Sequence, residues 1–183
     1  KQEAQSLALK LSKIRIQKAP ELTAAIAKGL GGLGMENASF QFEFQEENDL
    51  TLNGKDKINL LFSANKGMPF GPLHKIASGG ELSRIMLVIK SVMASRKALP
   101  CLILDEIDTG VSGEMAKSMA SLMKQMSQNT QLIAITHLPQ IAASGNTHIK
   151  VFKASDDSTT KTHVKSLVGE DRVLEIAQML DGK

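Results

Sequence analysis

The stretch Lys75-Ile76-Ala77-Ser78-Gly79-Gly80-Glu81-Leu82-Ser83-Arg84 decides how this chain is read, together with the apolar run Cys101-Leu102-Ile103-Leu104 that follows it and ends in Asp105-Glu106. A second apolar run, Ile133-Ala134-Ile135-Thr136, reaches His137 about thirty residues further on. Working outward, the pattern predicts a helix over about 79–97, a strand over 101–105, a helix over 112–128, a strand over 131–136 and a short helix over 138–144. This alternation predicts a parallel α/β layer with helices packed on it. Cys101–Glu106 reads as a buried central strand of that layer.

Upstream, Ala4, Leu7, Leu11 and Ile14 have the 3-4-3 spacing of a coiled-coil seam, which an ordinary amphipathic helix would also show. Pro20 is expected to kink or restart the helix. A second helical pattern through Leu22, Ala25, Ile26 and Leu30 is expected to end at Gly29, Gly31, Gly32 and Gly34. Phe40, Phe42 and Phe44 alternate with Gln41 and Glu43 as a strand, and Ile58, Leu60 and Phe62 form another after an Asn53-Gly54 turn. The Gly67–Pro72 stretch reads as a loop. Strands at 147–153 and 160–167, with a hairpin tip at 155–160, and a helix through Val173, Ile176 and Leu180 follow.

The 183 residues suit one domain with a real core, and 42% hydrophobic against 22% charged content is ordinary for a soluble globular protein. No apolar stretch approaches the ~20 residues of a membrane span. The first residues lack the apolar core of a signal peptide, and the start without Met reads as a fragment. The lone Cys101 excludes an internal disulfide framework, fits a reducing compartment and reads as a buried inert thiol. A net charge of +3 permits nucleic-acid contact without arguing for it, and with no Trp or Tyr any such contact would run through Lys and Arg to phosphates. Lys153, Lys161 and Lys165 are candidates, or simply a solvated strand face.

Ser78 and Glu81 have capping-box spacing, which accounts for a helix start without any ligand. Two glycines in that first turn are costly for a mere cap, however, and they would let an anion approach the amides of the positive helix end. Asp105-Glu106 at a strand's carboxyl end sits where open α/β sheets bind ligands, although paired acids also mark the point at which a strand surfaces. One acid can hold a hard cation such as Mg²⁺ while the other accepts a proton from water. If the two apolar strands are neighbours, their ends lie ~5 Å apart, and His137 could contact a phosphate or a water near Glu106; capping the helix that begins at Leu138-Pro139 is its plainer role. His74, His148 and His163 show no metal-ligand spacing and read as surface residues.

In this order and spacing the three elements resemble the C-terminal half of an ABC-type ATPase head. Ala77–Glu81 resembles the signature motif, Cys101–Glu106 the Walker B strand, Asp108 part of the D-loop, and His137 the switch histidine. The wording is more particular. Phe62-Ser63-Ala64-Asn65, Ala77 to Met86, Leu104-Asp105-Glu106-Ile107-Asp108-Thr109-Gly110-Val111-Ser112-Gly113, Ile135-Thr136-His137-Leu138-Pro139-Gln140 and the close around Arg172 to Gly182 resemble the RecN family of bacterial DNA-repair proteins, relatives of the SMC proteins.

That resemblance implies residues 1–19 as the end of a coiled-coil arm and 20–183 as the C-terminal lobe of a head whose N-terminal lobe carries the phosphate loop. It implies ATP and Mg²⁺ as cofactors, and as partners the N-terminal lobe, a second head in a homodimer and, through the full-length protein, DNA. The location implied is cytoplasmic and nucleoid-associated, with no membrane. Ser78, Gly79, Gly80 and Glu81 would meet the nucleotide of the partner head, with Asp108 in the D-loop. Asp105 would hold Mg²⁺, Glu106 would act as base and His137 would contact the γ-phosphate. No G-x-x-x-x-G-K-[ST] phosphate loop occurs in the chain, so by itself it is expected neither to bind ATP tightly nor to hydrolyse it. Two other readings share these motifs: the nucleotide-binding subunit of a transporter, and a non-catalytic dimerisation or DNA-holding module.

Overall fold

The structure, a computed structural model, describes residues 1–96, 99–111, 113–155 and 159–181. It divides into two compact units, Lys1–Lys97 and Ala98–Lys183.

The first unit is built on α1 (Gln2–Gly31), which buries Ala8, Ile26 and Leu30. The helix does not restart at Pro20. The proline ring removes one N–H, and the hydroxyl of Thr23 adds bonds to the carbonyls of Ala19 and Pro20 at 3.2 and 3.1 Å. Nor does Gly29 end the helix: a Cβ there would stand 2.6 Å from Cγ1 of Val88, so this glycine lets α1 approach α3 (Gly79–Arg96). The stop comes at Gly31, with Gly32 as the cap.

β1 (Ser39–Thr51) and β2 (Gly54–Ser63) form an antiparallel hairpin. Its register sets Phe40, Phe42 and Phe44 opposite Phe62, Leu60 and Ile58, as alternation predicts, and the rings of Phe40 and Phe62 lie 5.2 Å apart. The turn falls on Leu52-Asn53, one residue earlier than expected, because Gly54 takes φ +96° and already pairs with Thr51. The glycine-rich stretch is not all loop, since β3 (Gly71–Pro72) pairs with β2 and leads into the short α2 (Leu73–Ile76). Ile26, Leu30, Leu33, Phe62, Ile85, Leu87 and Val88 make the core of this unit.

In the second unit β4 (Cys101–Asp105) and β5 (Gln131–Ile135) are parallel neighbours joined through α4 (Gly113–Met126). α4 buries Ala116, Met119, Ala120, Met123 and Met126, a 3–4 spacing that makes one apolar stripe. After α5 (Pro139–Ser144), the hairpin β6 (His148–Ser155) and β7 (Thr160–Leu167) is followed by α6 (Gly169–Asp181). The Arg172 guanidinium donates to the carbonyls of Ala143 (3.0 Å) and Asn146 (3.4 Å), closing the end of α5 and tying α6 to it. Half of the expected hairpin tip, 156–158, and residue 112 lie outside the described residues.

Two expectations fail together. β4 is not buried, and Cys101 is exposed. Among the described residues the parallel sheet has two strands, and one of its faces is covered. Leu104 lies on that face, whereas Ile103 (63% exposed), Ile133 (44%) and Ile135 (52%) stand open on the other. His148 is half-buried rather than a surface residue, and its Nδ1 is enclosed without a hydrogen bond. Among the described residues no helix is long and apolar enough to cross a membrane.

Candidate functional site

The candidate residues fall into two groups, one in each unit. In the first, Ser78 precedes α3 in a complete capping box. Its N–H and hydroxyl both donate to Glu81 Oε2 at 2.8 Å, and the Glu81 N–H reaches back to the Ser78 hydroxyl at 3.4 Å. The side chains predicted to meet a ligand are thus engaged with each other. Gly79 differs: it is exposed, and a Cβ there would meet nothing within 4 Å. No internal packing requires this glycine, which leaves the positive end of an 18-residue helix approachable. Gly80 follows in the same turn, half-buried.

In the second unit Asp105, Glu106, Asp108 and His137 come together at one sheet edge. Asp105 pairs in register with Ile135, and the Glu106 N–H donates to the Ile135 carbonyl at 3.2 Å. Both acidic side chains are exposed. Glu106 has φ +48°, the one positive value on a non-glycine among the described residues. An L-residue adopts this region at a cost, and the surroundings must hold it there. They do so through the carbonyl of Glu106, which accepts from the N–H of Thr109 at 3.2 Å and its hydroxyl at 2.8 Å.

Asp108, expected in the D-loop, turns into the fold. It is fully buried, accepts a hydrogen bond from the Thr136 hydroxyl and faces Nδ1 of His137 at 3.8 Å. Thr136 also accepts from the Leu138 N–H at 3.0 Å. The sequence assigns Thr136 no role; its signal there is a hydroxyl residue directly before the histidine. Asp105 and Glu106 offer the hard oxygen donors that Mg²⁺ takes. No group of three or more His, Cys, Asp or Glu among the described residues could hold a metal, so nucleotide and water would have to complete its shell.

No family model matches the chain. DNA repair protein RecN of Halalkalibacterium halodurans is 40% identical over 176 residues, covering 94% of this chain and 31% of that protein. The chain is related to the RecN proteins. RecN of Rickettsia typhi is 41% identical (97% of this chain, 32% of its own length), and RecN of Bacillus subtilis 39% (96% and 33%). The chain therefore spans about a third of the length of these RecN relatives, at their C-terminal end.

Solved SMC head domains share the fold. One from Pyrococcus yayanosii with its coiled coil and joint superposes with a TM-score of 0.68 at 21% identity, over 90% of this chain and 30% of that one. A second, from a study of ATP-driven dimerisation and DNA-stimulated activation of SMC ATPases, gives 0.61 at 20% identity, over 93% and 98%. The chain has the mixed α/β fold of these SMC structures.

Proposed function

We propose that this chain is the C-terminal part of the ATPase head of a RecN-like protein, which binds and hydrolyses ATP between two dimerised heads in recombinational repair of DNA double-strand breaks. Residues 1–19 are the end of its coiled-coil arm and residues 20–183 the lobe. The observation that carries this reading is the pairing of β4 with β5, which sets Asp105-Glu106 and His137 at one sheet edge in a chain about 40% identical to RecN proteins. The exposed seam residues Leu7, Leu11 and Ile14 support the arm, and the open isoleucine face supports a covering N-terminal lobe.

Bound Mg²⁺–ATP would supply the electrophilic γ-phosphoryl group, with its charge offset by the cation. Asp105 offers a carboxylate oxygen to Mg²⁺. Glu106 takes the proton of the attacking water, aided by the backbone turn that aims its side chain out of the sheet edge. His137 contacts the γ-phosphate. Ser78, Gly79, Gly80 and Glu81 present the start of α3 to the nucleotide of the second head. The complete protein works on DNA in the cytoplasm, at the nucleoid.

Glu106→Gln in the complete protein tests this directly. Hydrolysis should fall on the order of 10²–10⁴-fold while the ATP-bound dimer accumulates, because the base is lost and the phosphate contacts remain. Turnover at the normal rate removes Glu106 from the role. The 183-residue chain alone should show no Mg²⁺-dependent hydrolysis, since it has no phosphate loop.

A further inference from the structure

Asp108 is a buried carboxylate to which the proposed hydrolysis gives no task. Its Oδ2 accepts from the Thr136 hydroxyl, but its Oδ1 is enclosed and has no hydrogen-bond partner. An unsatisfied buried acceptor of this kind is costly to keep. His137 Nδ1 stands 3.8 Å from that oxygen, and the His137 side chain is otherwise 68% exposed. The buried carboxylate is held through Oδ2 by the Thr136 hydroxyl, which itself accepts from the Leu138 N–H, so the turn after β4 and the chain on both sides of His137 are held together. The exposed imidazole, rather than the buried carboxylate, has room to close the gap, by about 1 Å, to reach hydrogen-bonding range. Catalytic hydrogen bonds are often this long before the ligand binds.

We propose that Asp108 is a positioning residue for His137. Its Oδ1 accepts the Nδ1–H of the imidazole, which selects that tautomer and leaves Nε2 as the nitrogen facing outward. Asp105 and Glu106, the other carboxylates at this edge, are exposed and do not enclose the ring. The catalytic consequence rests on the role given to His137 above; the pairing itself does not.

Two measurements on the complete protein test it. With ¹⁵N label in histidine only and the His137 signals assigned by His137→Gln, the neutral wild-type ring should carry its proton on Nδ1, and Asp108→Asn should return it to Nε2. A wild-type His137 protonated on Nε2 overturns the proposal, and that spectrum decides even where a variant fails to fold. In ATPase assays Asp108→Asn should lower kcat on the order of tenfold, as loss of a histidine's outer partner does, with KM for ATP within about twofold. In a His137→Gln background the same change should cost less than about twofold. Additive losses in the two backgrounds overturn the proposal. If His137→Gln alone leaves kcat intact, the assignment of His137 to hydrolysis fails, and the ring spectrum still decides the pairing.

Discussion

Asp56 shows how much a single side chain in this molecule depends on its neighbours. It accepts from Arg15 Nη1 at 2.9 Å and is nearly buried where α1 crosses the β1–β2 hairpin. The hydrogen bond from Ser12, then that from Arg15, hold its carboxyl below the usual aspartate range, against the opposing effect of burial. A carboxylate with a depressed folded-state pKa contributes stability that is fully present above its unfolded value, about 4, and is lost as pH falls through the folded one. The difference in unfolding free energy between the wild type and Asp56→Asn should therefore be constant above about pH 5 and shrink steadily in more acid solution. Urea melts followed by circular dichroism measure it, there being no Trp or Tyr to report. A difference that does not change with pH would mean that the Arg15–Asp56 contact is absent in solution.

Between elements, α1 and α3 meet closely at Gly29 and Val88. A helix-interior glycine ordinarily costs up to ~1 kcal/mol relative to alanine, so Gly29→Ala should stabilise on propensity alone. Here the added methyl meets the stiff, buried Val88 at 2.6 Å, and overpacking of this kind costs about 1–3 kcal/mol. The expected net result is destabilisation by about 1 kcal/mol, read as a drop of about 2–4 °C in melting temperature. Val88→Ala in the same chain should restore part of it, as contacting residues couple. A higher melting temperature for Gly29→Ala would show that the helices stand further apart than described. The capping box at the start of α3 involves no such conflict: Ser78 and Glu81 satisfy each other locally, which is why it could be foreseen from spacing.

For the molecule as a whole, the open face of the β4–β5 sheet is the feature that calls for explanation. Parallel sheets are found with both faces covered, yet Ile103, Ile133 and Ile135 face outward here. If an N-terminal lobe covers them, Ile133→Lys should change the stability of the 183-residue chain by no more than about 0.5 kcal/mol, as at any exposed site. In the complete protein the same change would bury an unpaired charge and should destabilise the head by several-fold more. Comparing the two thermal melts separates these cases. An equal, small effect in both would leave the face uncovered and argue against the lobe.

What the sequence determined by itself is whatever neighbouring residues settle among themselves. The order of the longer helices and strands, the register of the phenylalanine hairpin, the cap on α3 and the placing of Asp105-Glu106 and His137 at strand ends all follow from local periodicity and polarity. Only the tertiary structure decided the rest. That Gly29 is a packing contact rather than a stop depends on Val88, 59 positions away along the chain. That Cys101 is exposed depends on which face of its sheet is covered. That Asp108 turns inward to Thr136 and His137 depends on β5 lying beside β4. Burial is a property of what packs against a residue, and no local pattern carries that information.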